Sequence, residues 1–183
     1  MTNLVICGYS GAGKDTISKI LTENFRYNRV VPYTTRPKRE NEIDGKDYIF
    51  VTDEQFDNLN DCGVFFSTAK FNNWQYAIPY SGLNKNNWVI VANDVDYENL
   101  YIHKEYEKDI DFISIFIDAD ESIRVSRQKS RGDDINEINN RIVRDNDKWD
   151  RMMVHCPFDI IVENNNDVWD TVYNILVEVT KIN

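Results

Sequence analysis

The chain is 183 residues long, 42% of them hydrophobic, and its 31 acidic and 21 basic residues give a formal net charge of -10. That length and apolar content build one domain with a real core and are short for two independent ones. The acidic balance excludes a general nucleic-acid or membrane-surface binder, because such affinity rests on clustered cations, so any phosphate site here must gather its positive charge locally.

Leu4-Val5-Ile6-Cys7 reads as a buried strand running into the glycine-rich turn Gly8 to Gly13, after which Ile17, Ile20 and Leu21 recur at helical spacing. No charged leader precedes that apolar run and no stretch is long enough to span a bilayer, so the expected setting is the cytoplasm. A short strand is expected near Arg29 to Val31, then a polar, basic stretch from Thr34 to Asp47, then the strand-like Tyr48-Ile49-Phe50-Val51. Asp53 to Leu59 reads as a short helix capped by Thr52 or Asp53, with further short strands around Val64 to Ser67 and Gln75 to Ile78. Strand signal returns at Trp88 to Ala92 and at Phe112 to Ile117, each followed by a polar residue and a helical pattern, and this alternation implies a parallel sheet. Ser122 to Arg131 and Glu137 to Met153 read as helices flanking the break Gly132-Asp133-Asp134, and Asp159 to Val162 as a last strand. Val168, Val172, Ile175, Leu176 and Val179 form the apolar stripe of a closing helix. Cys7, Cys62 and Cys156 are too few and too scattered for a disulfide framework, and no Cys/His spacing suggests zinc.

Gly8-Tyr9-Ser10-Gly11-Ala12-Gly13-Lys14 has the spacing of a P-loop, with the required strand before it and amphipathic helix after it. Glycines let backbone N–H groups turn inward around phosphate oxygens, the helix adds its positive dipole end, and Lys14 brings a mobile cation to the β and γ phosphates of ATP. The last position departs from the pattern, since Asp15 stands where a serine or threonine normally reaches magnesium, and Thr16 follows. Two readings are open: Thr16 serves the metal while Asp15 favours the helix dipole, or Asp15 approaches the metal itself. Repulsion between a carboxylate and the triphosphate weighs toward Thr16.

The run Thr34-Thr35-Arg36-Pro37-Lys38-Arg39-Glu40-Asn41-Glu42-Ile43-Asp44-Gly45-Lys46-Asp47-Tyr48-Ile49-Phe50-Val51 closely resembles the signature of guanylate kinases, and the P-loop lies at the right distance upstream. Physically, the segment suits an anion clamp, because Arg36 and Arg39 can set two planar guanidinium forks around one phosphate with tyrosine hydroxyls completing it. The resemblance covers nearly the whole chain, more loosely in the middle and C-terminal parts. It implies an α/β P-loop kinase fold of three layers around a parallel sheet: a core of residues 1–31, 81–125 and 145–183, a small mixed nucleoside monophosphate-binding segment at 32–80, and a helical lid at 126–144. It also implies ATP as donor, a nucleoside monophosphate as acceptor, and Mg2+ as cofactor.

By the same resemblance, Arg36, Arg39, Tyr48 and Tyr76 hold the acceptor phosphate, Arg127 and Asn165 contact ATP, and Arg131 and Arg141 grip the transferring phosphoryl group. Arg127 and Arg131 lie four apart and share a helix face, and Arg141 and Arg144 lie three apart on the next helix. Asp94 falls about where the family carries an acidic residue near acceptor and metal, with Asp96 as a rival and helix capping as the alternative role. The family's base-reading serine, glutamate and serine correspond to Pro32, Ser67 and Ile78, so guanine preference is expected to be weakened or replaced, with Ser67 the remaining polar contact. The alternative function is a guanylate-kinase-like binding module without catalysis, against which the intact Gly13-Lys14 and the lid arginines argue. Neither nucleic acid nor membrane is an expected partner, and no motif speaks to oligomeric state.

Overall fold

The structure, a computed structural model, describes residues 2–71 and 73–182. In chain order its elements are β1 (Leu4–Gly8), α1 (Lys14–Asn24), β2 (Asn28–Arg29), β3 (Tyr33–Thr34), β4 (Ile49–Phe50), α2 (Asp53–Asp61), β5 (Phe65–Phe71), β6 (Trp74–Pro79), α3 (Tyr80–Leu83), β7 (Trp88–Val91), α4 (Asp94–Ile102), β8 (Ile113–Asp118), α5 (Glu121–Ser130), α6 (Ile135–His155), β9 (Ile160–Glu163) and α7 (Val168–Ile182), with a π-helical turn at His103–Glu107.

Strands β2, β7, β1, β8 and β9 lie side by side in that order and pair in parallel throughout. The central strand β1 is buried along its whole length, which is why it reads as an unbroken apolar run. Its side chains alternate between two cores. Leu4 and Ile6 pack with Ile17 and Leu21 of α1 and with Val172 and Ile175 of α7. Val5 and Cys7 pack on the opposite face with Tyr97 and Leu100 of α4 and Trp149 of α6. Helices therefore cover both faces, giving the three layers implied by the sequence.

A separate mixed sheet runs in the order β4-β3-β6-β5, with β3 and β4 parallel and the other pairs antiparallel. Phe56 of α2 covers it against Phe65 and Ala77. Thr52, rather than Asp53, caps α2, in a reciprocal capping box with Gln55. Two departures from the sequence reading follow from tertiary pairing. Strands β5 and β6 extend to Phe71 and Trp74 because hairpin pairing continues past the last apolar alternation. The two-residue β3, at the edge of the stretch read as polar loop, has no period of its own and is held between β4 and β6. Cys7 and Cys156 are buried, Cys62 is exposed, and all three are free thiols. Among the described residues no helix is long and apolar enough to cross a membrane.

Candidate active site

The turn from β1 into α1 requires its glycines. At Gly8 the backbone sits at φ +140° and a Cβ would lie 2.2 Å from the Ile117 carbonyl oxygen. At Gly13, φ is +97° and a Cβ would lie 2.4 Å from Asn164 Nδ2. Lys14 folds back over the loop, its Nζ donating to the carbonyls of Gly8 at 2.8 Å and Tyr9 at 2.9 Å. Burial pushes its ammonium below its ordinary pKa, and the Asp15 and Asp145 carboxylates oppose that. The Ser10 amide donates to Asp145 Oδ2 of α6 at 2.7 Å, so a carboxylate already occupies one inward-facing N–H of the phosphate cradle.

Two cavities meet at this loop. Gly8, Ser10, Gly11, Lys14, Arg36, Arg39, Tyr48, Tyr76, Asp94, Arg131 and Arg141 border the first, and Gly11, Gly13, Lys14, Thr16, Arg127, Arg131 and Asn164 border the second. Gly11, Lys14, Asp15 and Arg131 belong to both, which puts two cations where the cavities join. Arg131 and Arg141 converge on Asp133 Oδ2, at 3.1 and 3.3 Å, across the break between α5 and α6, and Arg141 also bonds Glu137. Arg127 donates to the Asn164 carbonyl at 2.9 Å. Ala12 is buried and its carbonyl accepts from Asn164 Nδ2 at 2.7 Å. Asn165 stands outside the second cavity, exchanging hydrogen bonds with Asp120 at 2.8 and 3.2 Å, and the neighbouring Asn164 is the residue that reaches the loop.

On the acceptor side, Glu42 organises the basic stretch. Its two oxygens accept from Arg36 Nη2 at 2.7 Å and from the Arg39 amide at 2.8 Å. Burial alone would raise the Glu42 carboxyl, but those hydrogen bonds and the two arginine charges hold it below its ordinary value. The Arg36 guanidinium lies over the Tyr48 ring at 5.4 Å, and the Tyr48 and Tyr76 rings are 6.1 Å apart. Burial, with Asp15 and Tyr76 nearby, pushes the Tyr48 phenol far up, so it remains a hydrogen-bond donor. Two guanidinium groups and two phenols thus border one space, a set rich in donors and suited to a dianionic phosphate.

Of the two acids after β7, Asp94 begins α4 and accepts from Lys148 Nζ at 2.6 Å. The helix cap is Asn93, and Asp96 is 5% exposed. Ser67 is buried and borders neither cavity; its hydroxyl donates to Asp96 Oδ1 at 2.7 Å. Among the described residues no cluster of three or more His, Cys, Asp or Glu is arranged to hold a metal alone. Magnesium on a triphosphate needs only one or two protein oxygens besides phosphate and water. Thr16 on the second cavity, with Asp15 or Asp94 on the first, is a donor set of that kind, so the residues fit such an ion.

The sequence model described as guanylate kinase matches residues 1–181. The chain is 34% identical over 176 residues to a guanylate kinase of Wolbachia pipientis, an alignment covering 90% of this chain and 87% of that one. It is 35% identical over 170 residues to a guanylate kinase of Thermotoga maritima, covering 88% and 78%. The chain belongs to the guanylate kinase family. Its fold is shared with the crystal structure of guanylate kinase from Anaplasma phagocytophilum, at a TM-score of 0.70 and 21% identity over 98% of this chain and 85% of that one. The family consists of nucleoside monophosphate kinases, and the two joined cavities have the layout such a kinase needs.

Three contributors to this site had no local signal in the sequence. Asp145 is one acid among many in α6, and only the docking of α6 on the P-loop brings it to Ser10. Arg124 reads as a surface helix arginine, yet it is buried, lies 4.2 Å over the Tyr9 ring and donates Nε to Ala119 O at 2.9 Å, bracing the loop from behind. Asn164 sits in an asparagine-rich turn where neighbours are interchangeable until β9 orients them. Glu42, by contrast, lies within the arginine-rich signature, and its pairing with Arg36 is a finding of the structure.

Proposed function

We infer that this guanylate kinase family member transfers the γ-phosphoryl group of ATP to a nucleoside or deoxynucleoside monophosphate. The observation carrying this reading is the junction of the two cavities at Lys14 and Arg131, with a phosphate clamp of Arg36, Arg39, Tyr48 and Tyr76 on one side and the P-loop with Arg127 on the other. Phosphoryl transfer asks the protein to hold two anionic nucleotides in line and to neutralise migrating charge. The inward backbone N–H groups of the loop and Lys14 serve the donor phosphates, and Arg131 and Arg141 serve the group in transit. Lys14 Nζ donates to the Gly8 and Tyr9 carbonyls and keeps a third N–H for a phosphate oxygen, whereas Asp145 must release the Ser10 amide before a phosphate oxygen can accept from it. Bound Mg2+, with Thr16, Asp15 or Asp94 as its protein oxygens, supplies further charge neutralisation on the phosphates. No general base is required, because the acceptor phosphate is already an anion at neutral pH.

The segment 32–80 and the lid 126–144 close toward the core on binding, which excludes water as a competing acceptor. The cytoplasm, where ATP and nucleoside monophosphates are available, is the setting that suits this chemistry. Base reading departs from the family pattern: Pro32 has no polar side chain, and Ile78 is 1% exposed in the apolar core. Coupled measurement of ADP release with GMP, dGMP, dTMP, dUMP, dCMP and AMP tests the reading. Acceptor-dependent ADP release is the expected result, and its absence with every acceptor, in a folded chain that binds ATP, would favour a binding module.

A further inference from the structure

One acid stands among the cations of the junction. Asp145, midway along α6, is 8% exposed and borders the first cavity with Lys14, Arg131 and Arg141. Its Oδ2 accepts from the Ser10 amide at 2.7 Å, and its charge opposes the fall in the Lys14 pKa that burial causes. A carboxylate that takes an N–H of the phosphate loop and balances the loop's lysine does two things that a phosphate oxygen does in such a cradle. It also repels any phosphate that approaches the same amide.

The shape of the loop does not call for this contact. The Ala12 amide donates to the Tyr9 carbonyl at 3.1 Å and closes the turn, and Lys14 Nζ bonds the Gly8 and Tyr9 carbonyls. From behind, the Arg124 guanidinium lies over the Tyr9 ring, and Gln128 Nε2 reaches the Ser10 carbonyl at 3.5 Å. These contacts hold the backbone on either side of Ser10 whether or not its amide is bonded.

Position decides which phosphate Asp145 opposes. Ser10 and Asp145 border the first cavity and not the second, whereas Gly13 and Thr16 border the second and not the first, with Lys14 on both. A donor that lies along the second cavity and ends at the acceptor therefore brings its last phosphoryl group, the γ group of ATP, to the Ser10 end of the loop. ADP stops one phosphate short of it.

We propose that Asp145 is an internal competitor of the γ-phosphate, a residue that sets the affinity of this chain for ATP relative to ADP. The contact to Ser10 must break before the γ-phosphate can accept from that amide. ATP affinity is thus reduced by the fraction of molecules in which the amide is released, and ADP affinity is not. This inference rests on the reading of the two cavities as donor and acceptor sites.

Calorimetric titration of the full chain with MgATP and with MgADP, in the absence of acceptor, tests it without requiring turnover. The wild-type chain binds MgATP less than about tenfold more tightly than MgADP, and a larger preference for MgATP overturns the proposal without any variant. Asp145→Asn keeps the size of the side chain and removes its charge. That variant binds MgATP about 10-fold more tightly than wild type does, with MgADP affinity within about threefold of wild type, because a hydrogen bond to a charged group no longer has to be broken. A bracing role for Asp145 gives the opposite pattern, with both nucleotides weakened together and Tm lowered, and overturns the proposal. So does a gain in MgATP affinity of less than about threefold, or an equal gain for MgADP. If Asp145→Asn does not fold, Asp145→Ala, a good helix former at a mid-helix position, takes its place with the same expected and overturning results. The kinase reading fails separately: a selective gain in ATP affinity without phosphoryl transfer to any monophosphate sinks that reading and leaves Asp145 as the competitor, whereas transfer by a variant whose ATP affinity is unchanged does the reverse.

Discussion

Replacing Asn164 by alanine should loosen the phosphate loop from behind without touching any atom that meets the transferring phosphoryl group. The Asn164 side chain ties β9 to the loop through Nδ2 to the Ala12 carbonyl, 2.7 Å, and it accepts from Thr171 Oγ1 at 3.1 Å. Thr171 retains the Glu163 carbonyl at 3.2 Å, but the Ala12 carbonyl is left with only a long contact to Arg127 Nη1 at 3.4 Å. Two hydrogen bonds worth roughly 1 kcal/mol each, plus a buried carbonyl left poorly satisfied, come to about 2–3 kcal/mol. For a chain of this size that lowers Tm by roughly 5–10 °C. Thermal unfolding followed by circular dichroism, together with ATP titration, reads both consequences, and ATP affinity should fall because the loop loses its fixed register. A Tm shift below about 2 °C with unchanged ATP affinity would refute the claim that Asn164 holds the loop.

Lys14→Ala should lower kcat by roughly 10²–10³ or more while circular dichroism stays that of the wild type, since it removes the cation at the cavity junction and no core contact; near-normal turnover in the folded variant would rule out the P-loop role. Raising the Asp96 carboxyl from 3.8 to about 6 in the native state means that the folded chain binds the extra proton between those limits. The stability this group contributes is therefore fully present below about pH 4 and is lost as pH rises through about 6, a difference of about 3 kcal/mol. Urea unfolding of wild type and Asp96→Asn from pH 4 to 8 should show the variant gaining relative stability as pH rises, and a pH-independent difference would contradict the raised value. Hydrogen exchange with ATP and a monophosphate both bound should show new protection in segments 32–80 and 126–144, and identical profiles with and without ligands would indicate a preformed, rigid site.

The parts of this fold that repeat were readable from sequence. β1, β7 and β8 are buried on both faces and so appear as apolar runs, and α7 carries a full stripe over four turns. Elements defined by a partner were not: β3 is two residues long and exists because β4 and β6 flank it, and the register that lengthens β5 and β6 is a property of their pairing. The same division holds for the site. The P-loop and the Arg36 to Tyr48 clamp are contiguous in sequence, so spacing carried their chemistry. Asp145, Arg124 and Asn164 come from distant elements that meet the loop only in three dimensions, with sequence separations of 135 residues for Ser10 with Asp145 and 152 for Asn164 with Ala12. Ser67 is the polar residue that the family resemblance sets at a base-reading position. Its hydroxyl donates to a carboxylate 29 positions away, which no local pattern announces.

In the proposed mechanism one cavity junction brings ATP and a nucleoside monophosphate together for phosphoryl transfer. Incubating the chain with γ-labelled ATP, Mg2+ and GMP, then separating the nucleotides, tests it most directly. Label should appear in GDP in step with ADP and be lost with Lys14→Ala. Label that stays in ATP or passes only to inorganic phosphate, in a folded chain shown to bind both nucleotides, would contradict it.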